Sequence, residues 1–160
     1  MVTKKDYHYT ESGLDNVYLR NGFTIHKTPY GEGVSIQNTE GLHRAIGKLL
    51  VGKPAPLNGA ELRFLRIELD LSQRGLAGIL GTKEQNLRLW EKHRGKPIPG
   101  SSDRLLRGIY SEFIGSNVQL RKMLERLADL DRKKNEATYF SKTNSSWKVL
   151  VSPQHERQAS

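Results

Sequence analysis

Glu84, Gln85 and Arg88 fall together on one edge of a short amphipathic stretch, Lys83 to Glu91, in which Leu87 and Trp90 supply the expected buried contacts. If Leu87 and Trp90 face inward, the 3.6-residue period turns the other three outward as a group. Their types match the edges of bases in a wide groove: arginine for guanine, glutamine for adenine, and glutamate as an acceptor for cytosine. Lys83, Asn86, Lys92, Arg94 and Lys96 surround the same stretch and are of the types that bond phosphate oxygens. From Lys83 to Lys96 there are five lysines or arginines against two glutamates, a local balance that favours a polyanion.

Such an edge is useful only if a second helix holds it at a fixed angle. Ser72 to Leu80 supplies that helix, with Ser72 as its N-cap and Leu76 and Leu80 as buried contacts. Ala77 is small enough for a close helix crossing, and Gly81 can take the positive φ of a tight turn at little cost. Thr82, with Gln85 three positions on, is the expected cap of the following helix. The pair is a helix-turn-helix pattern, which lays its second helix along the major groove of DNA. Gly75 and Gly78 each cost their helix about 1 kcal/mol relative to alanine, so it depends on packing.

The spacing of Gln73, Ala77, Gly81, Leu87 and the Trp90-Glu91 pair resembles the motif of the Cro/repressor (Xre-type) helix-turn-helix family. Leu65-Arg66 upstream and Pro97 or Pro99 downstream fit the same pattern, and the resemblance covers residues 58–115. It implies a five-helix bundle with the third helix in the major groove. It also implies that Gln73 touches phosphate or a flanking base, and that Arg66 and Glu91 tie the first helix to the end of the third. More loosely, Gly13–Leu19 and Glu61–Arg66 make the whole chain similar to MqsA-type antitoxins, in which a small N-terminal sheet precedes an Xre-type domain. Zinc-bearing members of that group use two Cys-x-x-Cys pairs, and this chain has no cysteine.

The remaining elements are read from their periodicity. Asn58 and Glu61 have capping-box spacing ahead of Leu62, Leu65 and Leu69. Leu42, Ile46, Leu49 and Leu50 are spaced as one face of a short helix, ended by the Gly52–Pro56 connector. A last bundle helix begins at Ser102 or Asp103 and carries Leu105, Leu106, Ile109, Tyr110 and Phe113. Before these, residues 7–38 alternate apolar and polar side chains. Asn21-Gly22 suits a hairpin turn between Val17–Arg20 and Phe23–His26, and Tyr30–Gly33 marks a second turn. After the bundle, Val118, Leu120, Leu124, Leu127 and Leu130 stripe a helix that either packs on its own bundle or joins two subunits. Six charges in residues 129–136 end the stripe, and Thr138–Ser141 and Trp147–Val151 flank Asn144-Ser145 as a hairpin.

The expected fold is therefore α+β. A β-rich region (1–57) precedes the helix-turn-helix domain (58–115), and a helix with a β-hairpin (116–160) follows. In 160 residues, lysine and arginine exceed aspartate and glutamate by nine, which favours a polyanionic partner. The absence of cysteine excludes a thiol nucleophile, a disulfide framework and cysteine-bound zinc. His8, His26, His43, His93 and His155 show no ligand spacing, so no metal or other cofactor is expected. Gly31 and Gly33 read as a strand turn, since no Gly-Lys-Ser/Thr follows. No nucleophile motif or paired carboxylate suggests an enzyme.

With neither a signal segment nor an apolar run of membrane-spanning length, the chain is expected in the cytoplasm. The function expected is a sequence-specific regulator of transcription, a homodimer on a palindromic operator of double-stranded DNA, acting as a repressor or autorepressor. The rival is an antitoxin that binds a toxin-like protein through residues 7–50 and represses its operon.

Overall fold

The computed structural model describes residues 5–115, 122 and 139–150. The fold is α+β: small antiparallel sheets at the N-terminus, five helices, and a C-terminal hairpin. The expected stripe of residues 118–130 lies outside the described residues, apart from Lys122.

The N-terminal part holds two ribbons where a single sheet is expected. Strands β1 (Tyr7–His8) and β2 (Tyr18–Leu19) pair antiparallel, as do β3 (Phe23–Thr28) and β4 (Gly31–Ile36). The hairpin expected across Asn21-Gly22 is therefore not formed. Gly22 still turns the chain, at φ +78, but it links one ribbon to the next. Burial decides this pairing: Tyr9, Leu14 and Leu19 all enter the core, and the segment between the first two strands folds over it. The turn at Pro29-Tyr30 joins β3 to β4, with Thr28 opposite Gly31, so the turn expected over Tyr30–Gly33 falls earlier and Gly31 to Gly33 already belong to the strand.

Four of the helices lie within residues 58–115: α2 (Gly59–Glu68), α3 (Gln73–Leu80), α4 (Glu84–Lys92) and α5 (Gly100–Ile114). The fifth is α1 (Thr39–Gly52), N-terminal to the connector, which packs on α5 and α2. Its Gly47 lies directly under the Tyr110 ring, where any Cβ would overlap the phenol. Arg107 of α5 closes the end of α1 by donating to the carbonyls of Val51, Lys53 and Ala55.

The caps explain where helices start, and two expectations need correction. Asn58 and Glu61 form the reciprocal capping box of α2, and Ser72 accepts from the Gly75 amide at the start of α3. Thr82, however, does not cap α4. The N-cap is Lys83, without a side-chain bond, because the Thr82 hydroxyl accepts from Asn86 Nδ2 at 3.0 Å. Likewise α5 starts at Gly100 after Pro99: Ser102 is already buried inside the helix and Asp103 pairs with Arg107.

One apolar core unites ribbons and helices. Leu57, Leu62, Leu65, Leu76, Leu87 and Leu106 are its largest fully buried members, joined by Tyr9, Leu14, Leu19, Ile46 and Tyr110. Two expected core residues lie outside it: Leu49 is 71% exposed and Leu105 is also exposed, each on the rim of its helix face. The C-terminal hairpin forms as expected from β5 (Tyr139–Thr143) and β6 (Ser146–Leu150), turning at Asn144-Ser145.

Candidate functional site

Helices α3 and α4 cross where the sequence pattern places their crossing. Ala77 is buried, and Gly81 at φ +71 ends α3 with its amide on the Gly78 carbonyl. The Thr82 amide reaches back to the Ala77 carbonyl at 2.9 Å, completing a Schellman turn that aims the chain into α4. Leu76 and Leu87 are fully buried, while Leu80 and Trp90 are half-buried against the core. The remaining contact is close: the main chain of α2 at Gly59 touches the carbonyls of Trp90 and His93 with no room for a Cβ. The amides of Gly59 and Ala60 bond the carbonyls of Lys96 and Arg94, so the chain leaving α4 is fixed to the start of α2.

The outward edge of α4 carries the residues singled out above. Gln85, Asn86 and Arg88 are exposed and Glu84 is half-buried. Lys83, Lys92 and Lys96 are exposed and take no part in the ion pairs among the described residues. Arg94 is placed otherwise. Its guanidinium donates to the Gly13 carbonyl at 2.7 Å and to the Asp15 carboxylate at 2.8 Å, so it holds the N-terminal segment against the end of α4.

A chain of charged and polar side chains runs from the core to this edge. Arg66 on α2 donates through Nε to Glu91 at 2.6 Å and through Nη1 to the Leu71 carbonyl. The pairing of Arg66 with Glu91 matches the expectation drawn from the Xre-type resemblance. Glu91 also accepts from Gln73 Nε2 at 2.6 Å, and Gln73 Oε1 accepts from Arg88 Nε at 3.4 Å. Arg88 then pairs with Glu84 at 2.7 Å, one turn back along α4. Gln73 is thus a bridge between a buried carboxylate and an exposed guanidinium. Only its position at the start of α3 was legible from sequence. The bonds joining Gln73 to Glu91 and Arg88 have no spacing signal, because they cross between helices.

A second network lies on the other side of α2. The Tyr9 hydroxyl bonds His43 Nε2 at 2.7 Å, and His43 Nδ1 bonds Glu68 at 2.7 Å, linking the N-terminal segment to α1 and α2. Burial pushes the Tyr9 phenol above its ordinary pKa, and the nearby Glu11 and Glu68 carboxylates add to the shift. Tyr110 is raised mainly by burial as well, with Glu68 again contributing. Nothing local marks these partners, which are 25 and 34 residues apart in the chain. Among the described residues, histidines and carboxylates form no cluster of three suited to a metal ion. No helix among them is long and apolar enough to cross a membrane.

No known protein family, curated protein or solved structure matches the chain.

Proposed function

We propose that the chain is a sequence-specific regulator of transcription that reads double-stranded DNA with α4 and represses as a homodimer on a palindromic operator, with no chemistry done on the DNA. The observation that carries this reading is the division of α4 into two edges. Leu87 and Glu91 are buried against α2 and α3, and Gln85, Asn86, Arg88 and Leu89 are exposed on the side away from them. A helix gripped along one side, with amide and guanidinium groups along the other, has the form a major groove accepts. Lys83, Lys92 and Lys96 then supply phosphate contacts that carry affinity and steep salt dependence. Two copies would place their α4 helices about 34 Å apart on successive grooves.

Selection from random duplexes by the purified protein tests this. A recovered consensus of two inverted half-sites supports it, and failure to enrich any sequence refutes it. On the selected site, Arg88→Ala is expected to cost about 1–3 kcal/mol and to relax the preference at one base pair per half-site. Equal weakening on every duplex would refute a base-reading role for Arg88.

A second reading is favoured by the β3–β4 ribbon, where Tyr30 is fully exposed at the turn and Ile25 is half exposed. Apolar side chains on an open ribbon suit a protein partner, as in an antitoxin that holds its toxin there and represses through α4. Co-purification of a small protein neighbour that is lost on Tyr30→Ser would support it.

A further inference from the structure

We propose that the turn end of the C-terminal hairpin is a second DNA-contacting element, which sets Lys142 and Lys148 on phosphates of the duplex read by α4. This rests on the DNA-reading proposal above and adds to it a site far along the chain. The hairpin has a sharp gradient of polarity. At its open end the cross-strand pairs are Tyr139 with Leu150 and Phe140 with Val149. Toward the turn they become Ser141 with Lys148, Lys142 with Trp147, and Thr143 with Ser146, closed by Asn144-Ser145. From Ser141 to Lys148 there are two cations, four hydroxyls, one amide and no carboxylate. Hydroxyl, amide and ammonium groups are the types that bond phosphate oxygens, and the lack of any anion removes repulsion.

The register adds geometry to the charge. Lys142 and Lys148 belong to adjacent cross-strand pairs, so they project from opposite faces of the ribbon. Cations therefore stand on both sides of a two-stranded ribbon, which is narrow enough to enter a major groove about 12 Å wide. Lys142, Lys148 and the turn residues between them are all exposed, Trp147 to 67%.

Charge around α4 leaves room for such a contribution. Arg88 is paired with Glu84 and Arg94 with Asp15, which leaves three lysines there free of ion pairs among the described residues. Two more phosphate contacts from the hairpin would be a large share of the total.

The test uses the full-length protein on the duplex selected above, titrated with salt. Lys142→Ala/Lys148→Ala is expected to lower the slope of log Kobs against log[salt] by about 1.8, at about 0.9 per phosphate contact. The base preference should be unchanged, and Lys142→Arg/Lys148→Arg should restore the slope. Circular dichroism and sedimentation of each variant separate this from misfolding or a lost subunit contact. A variant that stays folded and dimeric but keeps the wild-type slope overturns the inference. So does a variant that sediments as a monomer, which would assign the hairpin to the dimer interface. If Arg88→Ala alters base preference while the lysine variants keep the slope, only the hairpin inference falls. If the wild-type protein enriches no duplex, both proposals fall.

Discussion

Alanine at position 59 should be among the most damaging small substitutions in the molecule. A Cβ there would lie 1.9 Å from the Trp90 carbonyl oxygen and 2.9 Å from that of His93. Both obstacles are main chain at the end of α4, so no side-chain rotation relieves the overlap. Restoring ordinary contact requires α2 and the end of α4 to part by about 1.5 Å. That movement strains the Gly59–Lys96 and Ala60–Arg94 backbone bonds, now 3.2 and 3.1 Å long. Overpacking costs about 1–3 kcal/mol, and two weakened hydrogen bonds add about 1 kcal/mol each, so Gly59→Ala is expected to destabilise by about 3–5 kcal/mol. The control is the same chemical change at Gly78, which is exposed in α3 with no atom within 4 Å of the new Cβ. There alanine should stabilise by about 0.5–1 kcal/mol, through helix propensity and a less flexible unfolded chain. Urea unfolding followed by circular dichroism reads both, at constant m. A Gly59→Ala protein within about 0.5 kcal/mol of wild type, or the same sign of shift at both glycines, would refute the argument.

Other substitutions probe the remaining contacts. Arg66→Met should destabilise by about 3–5 kcal/mol by leaving the buried Glu91 carboxylate without its cation. Arg66→Met/Glu91→Leu should recover much of that, and strict additivity in the double-mutant cycle would rule out the coupling. Asn58→Ala should cost about 1 kcal/mol through the lost cap of α2, whereas Thr82→Ala, whose hydroxyl caps nothing, should shift urea stability by less than about 0.5 kcal/mol. The Tyr7 phenol, which donates to Glu11, is pushed up to about 12. Because its folded pKa lies above the unfolded value, its contribution to stability is complete below about pH 10 and is lost as pH rises toward about 12. Ultraviolet difference titration of wild type against Tyr7→Phe should isolate this step, and Glu11→Gln should bring it down. A Tyr7 that titrates near 10 in the native protein would refute the hydrogen bond.

What could be read from sequence was what neighbouring residues decide among themselves. The Asn58–Glu61 capping box, the Ser72 cap, the Gly81 turn and the Ala77 crossing each involve residues a few positions apart, and each stands where the spacing put it. Periodicity also placed α1 to α5, but it assigned Leu49 and Leu105 to the core, and both stand exposed among the described residues. Pairing was harder. Asn21-Gly22 has the chemistry of a hairpin turn, yet β2 joins β1 because burying Tyr9, Leu14 and Leu19 together outweighs a local turn preference. Thr82 has the spacing of a cap but not the role for a similar reason: its hydroxyl has a competing partner in Asn86, one turn away. Apart from the Arg66–Glu91 pair, contacts between distant segments leave no local trace. Arg94 looks like a phosphate ligand in its own neighbourhood, and only the fold brings Gly13 and Asp15, about eighty positions earlier, to its guanidinium.

The magnitudes along the Arg66–Glu91–Gln73–Arg88–Glu84 chain decide how the proposed reading helix can work. Its inner half is buried: the Glu91 side chain is 6% exposed, and removing either member of its pair with Arg66 leaves a buried charge. Its outer half is not. The Arg88 side chain is 60% exposed, and an exposed pair one helical turn apart is worth about 0.3–0.5 kcal/mol. The bond from Arg88 to Gln73, at 3.4 Å, is long. A bidentate contact with guanine discriminates by about 1–3 kcal/mol, so it outweighs both restraints on Arg88. Glu84 and Gln73 therefore hold Arg88 near the outward edge without locking it away from a base. On the proposed reading, Glu84, once released, would accept from cytosine one turn earlier. The boundary between the buried and the releasable half falls at Gln73, whose amide group faces both.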